Sequence, residues 1–366
     1  MSDWFGWVAD NAGCAWYRSI VPLTAIQKLG LVDKVSHSMI SSGAELLDRD
    51  VVIAQRTCNE NANPMLWKMT ELGAGWTYDL DDLLWGVEHT NVNAHGFYSQ
   101  DWVQDLLMRT IAAAPQISVS TEELANELDV IGYRGAVQVL PNTVPELPGL
   151  ARDPENEPVD REGKRKRPLR VLWAGSRTHD ADLEIIRYTT KKLVERGDIE
   201  LLLMGVDYSD LIPWASKSIP WVTNHEYIDA LAAVGADVML CPVKPGRFNA
   251  AKSHLKALDA MAAGIIPLAS DYCTYNRLVV HGESGLLAKW NEHDWHKKLQ
   301  SLVAMSWDEL HAMREACLLR ASDYSSDKWA PAAHSFWAQA PVNCSMPSFD
   351  AEQSKQTQQT PEPSVS

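Results

Sequence analysis

Short apolar runs alternate with stretches of helical periodicity along most of the chain. The runs Phe5–Ala9, Val51–Ala54, Gly75–Tyr78, Gln116–Val119 and Ala136–Leu140 read as strands of a first set. Apolar positions spaced for one helix face fall near 15–29, 63–72, 99–113 and 121–131. The alternation restarts with strands at Leu169–Ala174, Glu200–Met204, Val238–Cys241, Ile265–Ala269 and Gly285–Ala288. Helices are expected between and after them near 180–196, 226–234, 253–263, 291–304 and 308–322. Strand–helix alternation predicts parallel sheets covered by helices on both faces. The expected fold class is α/β, with two doubly wound Rossmann-like domains facing a cleft. In such sheets ligands collect at the carboxyl ends of strands, beside helix N-termini.

Composition divides the chain further. Between the two sets, residues 146–167 carry several prolines, mixed charges and the basic run Lys164-Arg165-Lys166-Arg167, which reads as an exposed linker. Residues 1–145 and 168–340 then form the N-terminal and C-terminal domains, with the last helix a candidate to cross back to the first domain. Residues 341–366, rich in Gln, Ser, Thr and Pro, read as a disordered tail.

The chain has 366 residues, 46% of them apolar and 22% charged, which excludes wholesale disorder. Its formal net charge is −15, which counts against general nucleic-acid binding because phosphates call for surplus cations. The excess is uneven. Residues 1–145 hold 8 basic and 18 acidic side chains, whereas 168–340 hold 18 and 21. An anionic ligand is repelled least in the second half. The six cysteines lack metal-ligand spacing and read as free thiols of a reducing compartment. The start lacks a signal-peptide pattern, and no window has the ~18 apolar residues of a spanning helix, so a cytoplasmic protein is expected.

The segment Phe248–Asp271 is the strongest candidate for chemistry. A strand ending at Cys241-Pro242 leads through a loop with Gly246 into a helix expected to begin near Ser253, with Leu255, Leu258, Met261 and Ala262 on one face. The amides of Ser253, His254 and Leu255 at that helix start, beside Lys252, suit a diphosphate. Asp259 lies two turns in, where it could reach a ribose hydroxyl, and Gly264 caps the helix.

This segment resembles the donor-nucleotide motif of GT-B glycosyltransferases of the family-4-like type. There a Glu, seven residues and a second Glu precede Ala-Met-Ala-x-Gly-x-Pro. Here Asp259-Ala-Met-Ala-Ala-Gly-Ile-Ile-Pro267 matches the second half, with Asp for Glu and one extra residue before Pro. The first acid falls on Ala251, and the pattern Asn249, Lys252, Ser253, Lys256 is instead that of a sub-group. Leu172-Trp-Ala-Gly-Ser-Arg-Thr-His-Asp-Ala-Asp182 resembles the first strand and Gly-Ser-x-x-His-x-x-Asp turn of the donor half. There Gly175 lets the backbone approach a phosphate, and Ser176 and Arg177 offer donors. Tyr272-x-x-Tyr275 and Gly282-Glu-Ser-Gly-Leu-Leu-Ala288 resemble the close of that half. In the first half, Gly13-Cys-Ala-Trp-Tyr-Arg18, Trp76–Asp82, Ser118–Leu124 and Val139–Val144 resemble its glycine loop, Asp-rich strand end, last helix entry and hinge.

The resemblance implies transfer of a sugar from a nucleoside diphosphate sugar, retaining and without a metal at the donor phosphate. That sugar nucleotide is a co-substrate, and no tightly bound cofactor is expected. Lys252, Arg177 and His89 are the implied catalytic groups. Gly175, Ser176, Arg177, Lys252, Ser253, His254, Leu255, Asp259 and Gly13 are the implied donor contacts, and Arg18, Asp81 and Asp82 lie on the acceptor side. Asp79, Asp81 and Asp82 also suit acceptor hydroxyls, structural hydrogen bonding or, as Asp-x-Asp does in the other glycosyltransferase architecture, a divalent metal. The acceptor is open: a glycan, a protein side chain or a modified base. Two other readings stand beside this one. One is a non-catalytic nucleotide-sugar or glycan binding protein on a degenerate transferase fold, motivated by Ala251 and Asp259. The other is a nucleotide-sugar epimerase of the same fold.

Overall fold

The structure, a computed structural model, describes residues 2–145 and 167–340. Most of the expected linker and all of the expected tail lie outside these residues. The described chain forms two compact units. Among the described residues, the first gathers those up to Val87, Gly96–Asn142 and those from Trp329 on; the second gathers Glu88–His95 and those between Thr143 and Lys328.

Unit 1 is built on six parallel strands: β1 (Asp3–Val8), β2 (Lys34–Ser38), β3 (Val51–Gln55), β4 (Thr77–Leu80), β5 (Gln116–Val119) and β6 (Ala136–Val139), in the order β2-β1-β3-β4-β5-β6. The central strands β3, β4 and β5 are buried at every position. Of these only β3 is the near-continuous apolar run expected of a strand covered on both faces, while β4 and β5 bury Asp79, Gln116 and Ser118 with hydrogen-bond partners. The sequence pattern misses β2, whose residues Lys-Val-Ser-His-Ser are half-exposed at the sheet edge. The helix Ser326–Trp337 closes this unit through its later residues. Ala330, Ala333 and Trp337 pack into a core with Trp4, Ile26 and Ile53.

Unit 2 carries β7 (Leu169–Gly175), β8 (Ile199–Gly205), β9 (Lys217–Pro220), β10 (Val238–Cys241), β11 (Ile266–Ser270) and β12 (Leu286–Ala288). Their order is β12-β11-β10-β7-β8-β9, all parallel. This is the doubly wound order of dinucleotide-binding sheets, which reverses direction between its first and fourth strands, here β7 and β10. The unpredicted β9 is again an edge strand, and its Pro220 is tolerated there because an edge leaves amide positions unpaired. In unit 1 the corresponding reversal falls between β1 and β3.

Asp237, at the foot of β10, is fully buried. It accepts two hydrogen bonds from Arg167 at 2.6 and 3.0 Å, one from Arg314 at 2.6 Å and one from the Arg170 amide at 2.8 Å. Burial alone raises its pKa, but these cations and hydrogen bonds outweigh it and hold the carboxyl below its ordinary value.

Candidate functional site

At the carboxyl end of β7 the chain turns through Ser176 and a short 3-10 turn, Arg177–His179, into the helix Asp180–Glu195. At the carboxyl end of β10 it passes through Gly246 and the single turn Arg247–Ala250 into the helix Leu255–Ala262. These two connections meet at the β7/β10 reversal, where the doubly wound fold binds ligands.

Lys256 stands there with its amine buried and without a hydrogen-bond partner. Its Nζ lies 4.9 Å from the centre of the Trp173 ring, and a Cβ added at Gly175 would come within 3.4 Å of it. Desolvation pushes the Lys256 pKa down, partly countered by Asp182 and Asp259 and reinforced by Lys252. Lys252 lies one turn before the helix, with its Nζ 5.0 Å from the Phe248 ring centre.

His179 completes the cluster. Its Nδ1 is 2.8 Å from Asp182 Oδ2, while Asp182 Oδ1 accepts the Lys244 amide at 2.7 Å. Burial, with the nearby charges of Lys256 and Lys252, lowers the His179 pKa to about 3, so the ring is neutral at pH 7. A neutral ring beside a carboxylate places its proton on Nδ1 and leaves Nε2 as an acceptor. Burial opposes ionisation of Asp182, but His179, Lys252 and the Lys244 amide hold its pKa low.

The other expected donor residues are placed differently. The helix starts at Leu255 rather than Ser253, so its free amides begin two residues later than expected. His254 is the residue before that start, and its buried ring stacks edge-on against Tyr324 at 4.6 Å. Burial and Arg320 lower its pKa to about 4. Arg177 is half-buried at the turn and committed to Asp210, at 2.8 and 3.2 Å, and to the Asp207 carbonyl. Ser176 shares a 2.7 Å hydrogen bond with Thr178. Asp259 is buried in the second turn of its helix, with its charge felt by Tyr227 and Cys241.

His89 belongs to the short segment Glu88–His95 that packs with unit 2. Its neighbour Glu88 accepts the Phe248 amide at 3.2 Å, and its carboxylate fills the space that a side chain at Gly246 would need. Sequence reasoning gave Glu88 no role, and no spacing signal marks it. Lys256, His179 and Asp182 were legible as motif positions, but their roles were not.

In unit 1, Gly13 opens the short helix Gly13–Ala15 and has open space beside it. The expected acceptor-side Arg18 follows on a π-turn, Trp16–Ile20, and is buried. Its guanidinium binds both oxygens of Asp79 at 2.7 and 2.9 Å, the Leu140 carbonyl at 2.6 Å and Asn142 at 3.0 Å. Arg18 is therefore buried as an internal strut, with four of its five N–H donors engaged. Asp79 is used up in the same way, because Ser118 also donates to it at 2.5 Å.

Asp81 and Asp82 lie beyond the end of β4, with ligand atoms within 4.8 Å of Cys14. Arg56 already supplies the positive charge there, 2.9 Å from Cys14 Sγ and 3.7 and 3.6 Å from the two carboxylates. Burial and Asp81 push the Cys14 thiol up, which keeps it protonated. A thiol and a guanidinium make this a poor cation site.

No family model matches the chain, and no curated protein matches it in sequence. Solved structures do match. A glycosyltransferase from Rickettsia africae superimposes with a TM-score of 0.62 at 9% identity, over 93% of this chain and 98% of that one. The HepE protein of Anabaena, solved with UDP and glucose, gives 0.59 at 12% identity over 92% and 99%. A sucrose-phosphate synthase from Thermosynechococcus elongatus gives 0.55 at 14% identity over 81% and 75%. The chain therefore has the GT-B glycosyltransferase fold that its motifs suggest. Among the described residues, no helix is long and apolar enough to cross a membrane.

Proposed function

We propose that the chain is a glycosyltransferase that takes a sugar from a nucleoside diphosphate sugar, with the donor bound in unit 2. The observation that carries this reading is the buried, hydrogen-bond-free amine of Lys256 at the β7/β10 reversal. A buried cation without a partner is costly, and a diphosphate supplies the missing acceptors. Lys252 adds a second charge, and the amides from Leu255 onward add the dipole of a helix start. These groups stabilise the charge that develops on the leaving diphosphate. In this reading Arg177 joins them by leaving Asp210, and Asp259 accepts from the ribose. His89 and the neutral His179 serve the sugar and phosphate side. The likeness to proteins solved with UDP and glucose, or with UDP-2-fluoro glucose, favours a UDP-sugar donor.

Transfer is proposed to be metal-independent, since two lysines and helix amides already offer the positive field that a divalent cation would bring, and retaining, on the likeness to a trehalose-6-phosphate synthase studied for glycosyl transfer with retention. The test is release of nucleoside diphosphate from UDP-, GDP- and dTDP-sugars in EDTA. Release in EDTA supports the reading. Loss in EDTA with rescue by Mn²⁺ overturns metal independence, and donor binding without release favours a non-catalytic binding protein. The acid missing at Ala251 is the feature that keeps that second reading in view.

A further inference from the structure

The connection from β10 to the helix Leu255–Ala262, residues 242–254, carries the cations Lys244, Arg247 and Lys252 and no acid of its own. Ala251, at the position of the resembled motif's first acid, is buried. The turn Arg247–Ala250 begins at Gly246, which has no side chain to cap its free amides. Glu88 does so from 160 residues away, accepting the Phe248 amide at 3.2 Å.

Gly246 is fitted to this contact. Its φ of 169° is extended backbone that any residue adopts, so the turn itself does not call for glycine. A Cβ here would meet the carboxylate of Glu88, both of whose oxygens lie against Gly246. The Tyr272 hydroxyl holds the same residue, donating to its carbonyl at 3.1 Å and accepting its amide at 3.3 Å. Lys252 is what this clamp orients. The Phe248 ring is buried, and Lys252 Nζ lies over it, 5.0 Å from its centre. The Lys252 amide donates to the Asn249 carbonyl at 3.3 Å, and the Lys252 carbonyl accepts the Thr274 hydroxyl at 2.9 Å.

We infer that Glu88 is a positioning residue for the donor, acting through Phe248 to hold the amine of Lys252 in place for the diphosphate. This role goes one step beyond the proposed function and rests on it for the place of Lys252 at the diphosphate. The charge of Glu88 works the other way, because a carboxylate beside a bound anion repels it. Glu88 therefore helps by where its oxygen sits and not by its charge.

The two effects separate by substitution. UDP affinity by calorimetry, melting temperature and deuterium uptake over residues 246–252 are measured for the parent, Glu88→Gln, Glu88→Ala, Gly246→Ala and the Glu88→Ala/Gly246→Ala pair. Glu88→Gln keeps an oxygen for the Phe248 amide and sheds the charge, so it should bind UDP at least as tightly as the parent, with unchanged uptake. Glu88→Ala loses the hydrogen bond and should bind UDP about fivefold to tenfold more weakly, with faster uptake. Gly246→Ala should weaken UDP in the same way, because its Cβ displaces the carboxylate. The double variant should be no weaker than Glu88→Ala alone, since that Cβ then fills vacated space. A role through charge alone makes Gln and Ala both bind UDP more tightly. A merely structural role lowers the melting temperature and leaves UDP affinity unchanged. Either pattern, equal weakening by Gln and Ala, or additive losses in the double variant overturns the inference. If the parent binds no UDP, the donor reading fails, and uptake alone decides the clamp: unchanged uptake in Glu88→Ala overturns it.

Discussion

At the scale of single residues, the candidate site is a set of groups held in forms they would not choose in water. Lys256 is the sharpest case, because stability and function pull on it in opposite directions. Its buried amine has no hydrogen-bond partner, so Lys256→Met should raise the melting temperature of the free protein. The same change removes a charge-assisted bond to the donor, about 1.5–3 kcal/mol, and should weaken UDP about tenfold to a hundredfold or more. Calorimetry on both variants tests this, and unchanged UDP affinity removes Lys256 from the site. The histidines give a second test. His179 and His254 fold with pKa values of about 3 and about 4, below the ordinary 6.5. The unfolded chain therefore binds more protons between those values, and stability falls as pH drops from 6.5 through that window. His254→Phe should remove about one proton from the uptake on unfolding between pH 6.5 and 4, read from the pH slope of urea stability. An unchanged slope would mean the ring is not buried neutral. The sequence shows Lys252, Lys256, His179 and Asp182 as motif positions. It cannot show which side chains end up unpaired, because that depends on what packs against them from other strands.

At the scale of elements, the sequence is legible where a local rule acts alone. The helix Trp307–Ser322 begins with a capping box that is plain in Ser306-Trp-Asp-Glu309. Ser306 Oγ accepts the Glu309 amide at 3.3 Å, and the Glu309 carboxylate accepts the Ser306 amide at 2.7 Å. Ser306→Ala should cost about 1 kcal/mol in urea unfolding, and Ser306→Asp much less. Equal losses for both would show that the cap is not what starts the helix. Interior strands are legible for the same kind of reason, since β3 and β10 are found where their apolar runs stand. The edges fail. Both β2 and β9 are polar, short and half-solvated, so hydrogen bonding to a neighbour strand decides them and no periodicity records it. The loop at Gly246 fails too. The Phe248 amide there donates to Glu88, 160 residues away in sequence, and only the tertiary structure brings them together.

At the scale of the whole chain, the two units are stabilised by separate buried nodes, and this gives a test of the division itself. Unit 1 depends on Trp337, fully buried, whose ring nitrogen donates to Ser118 at 3.2 Å, next to the Asp79–Arg18 pair. Removing a buried tryptophan side chain costs about 3–5 kcal/mol. Unit 2 depends on Asp237, which neutralises Arg167 and Arg314, and deleting one member of such a buried group costs about 3–5 kcal/mol. The folded pKa of Asp237 is depressed, so its contribution is present above the ordinary carboxylate range and is lost as pH falls through the lower folded value. UDP at a hundredfold excess over its dissociation constant should add about 2.7 kcal/mol to whichever unit binds it. Scanning calorimetry should then show Trp337→Ala lowering a transition that UDP does not raise, with UDP affinity kept in the remaining folded unit. Asp237→Ala should lower the transition that UDP does raise, and should show a flatter response to acid than the parent. If both substitutions shift one common transition by the same amount, and UDP raises it in both, the units unfold as a single cooperative body and the division by contacts does not carry over to stability. If UDP raises only the transition lowered by Trp337→Ala, the donor lies in unit 1, and the assignment of Lys252 and Lys256 to the diphosphate fails with it.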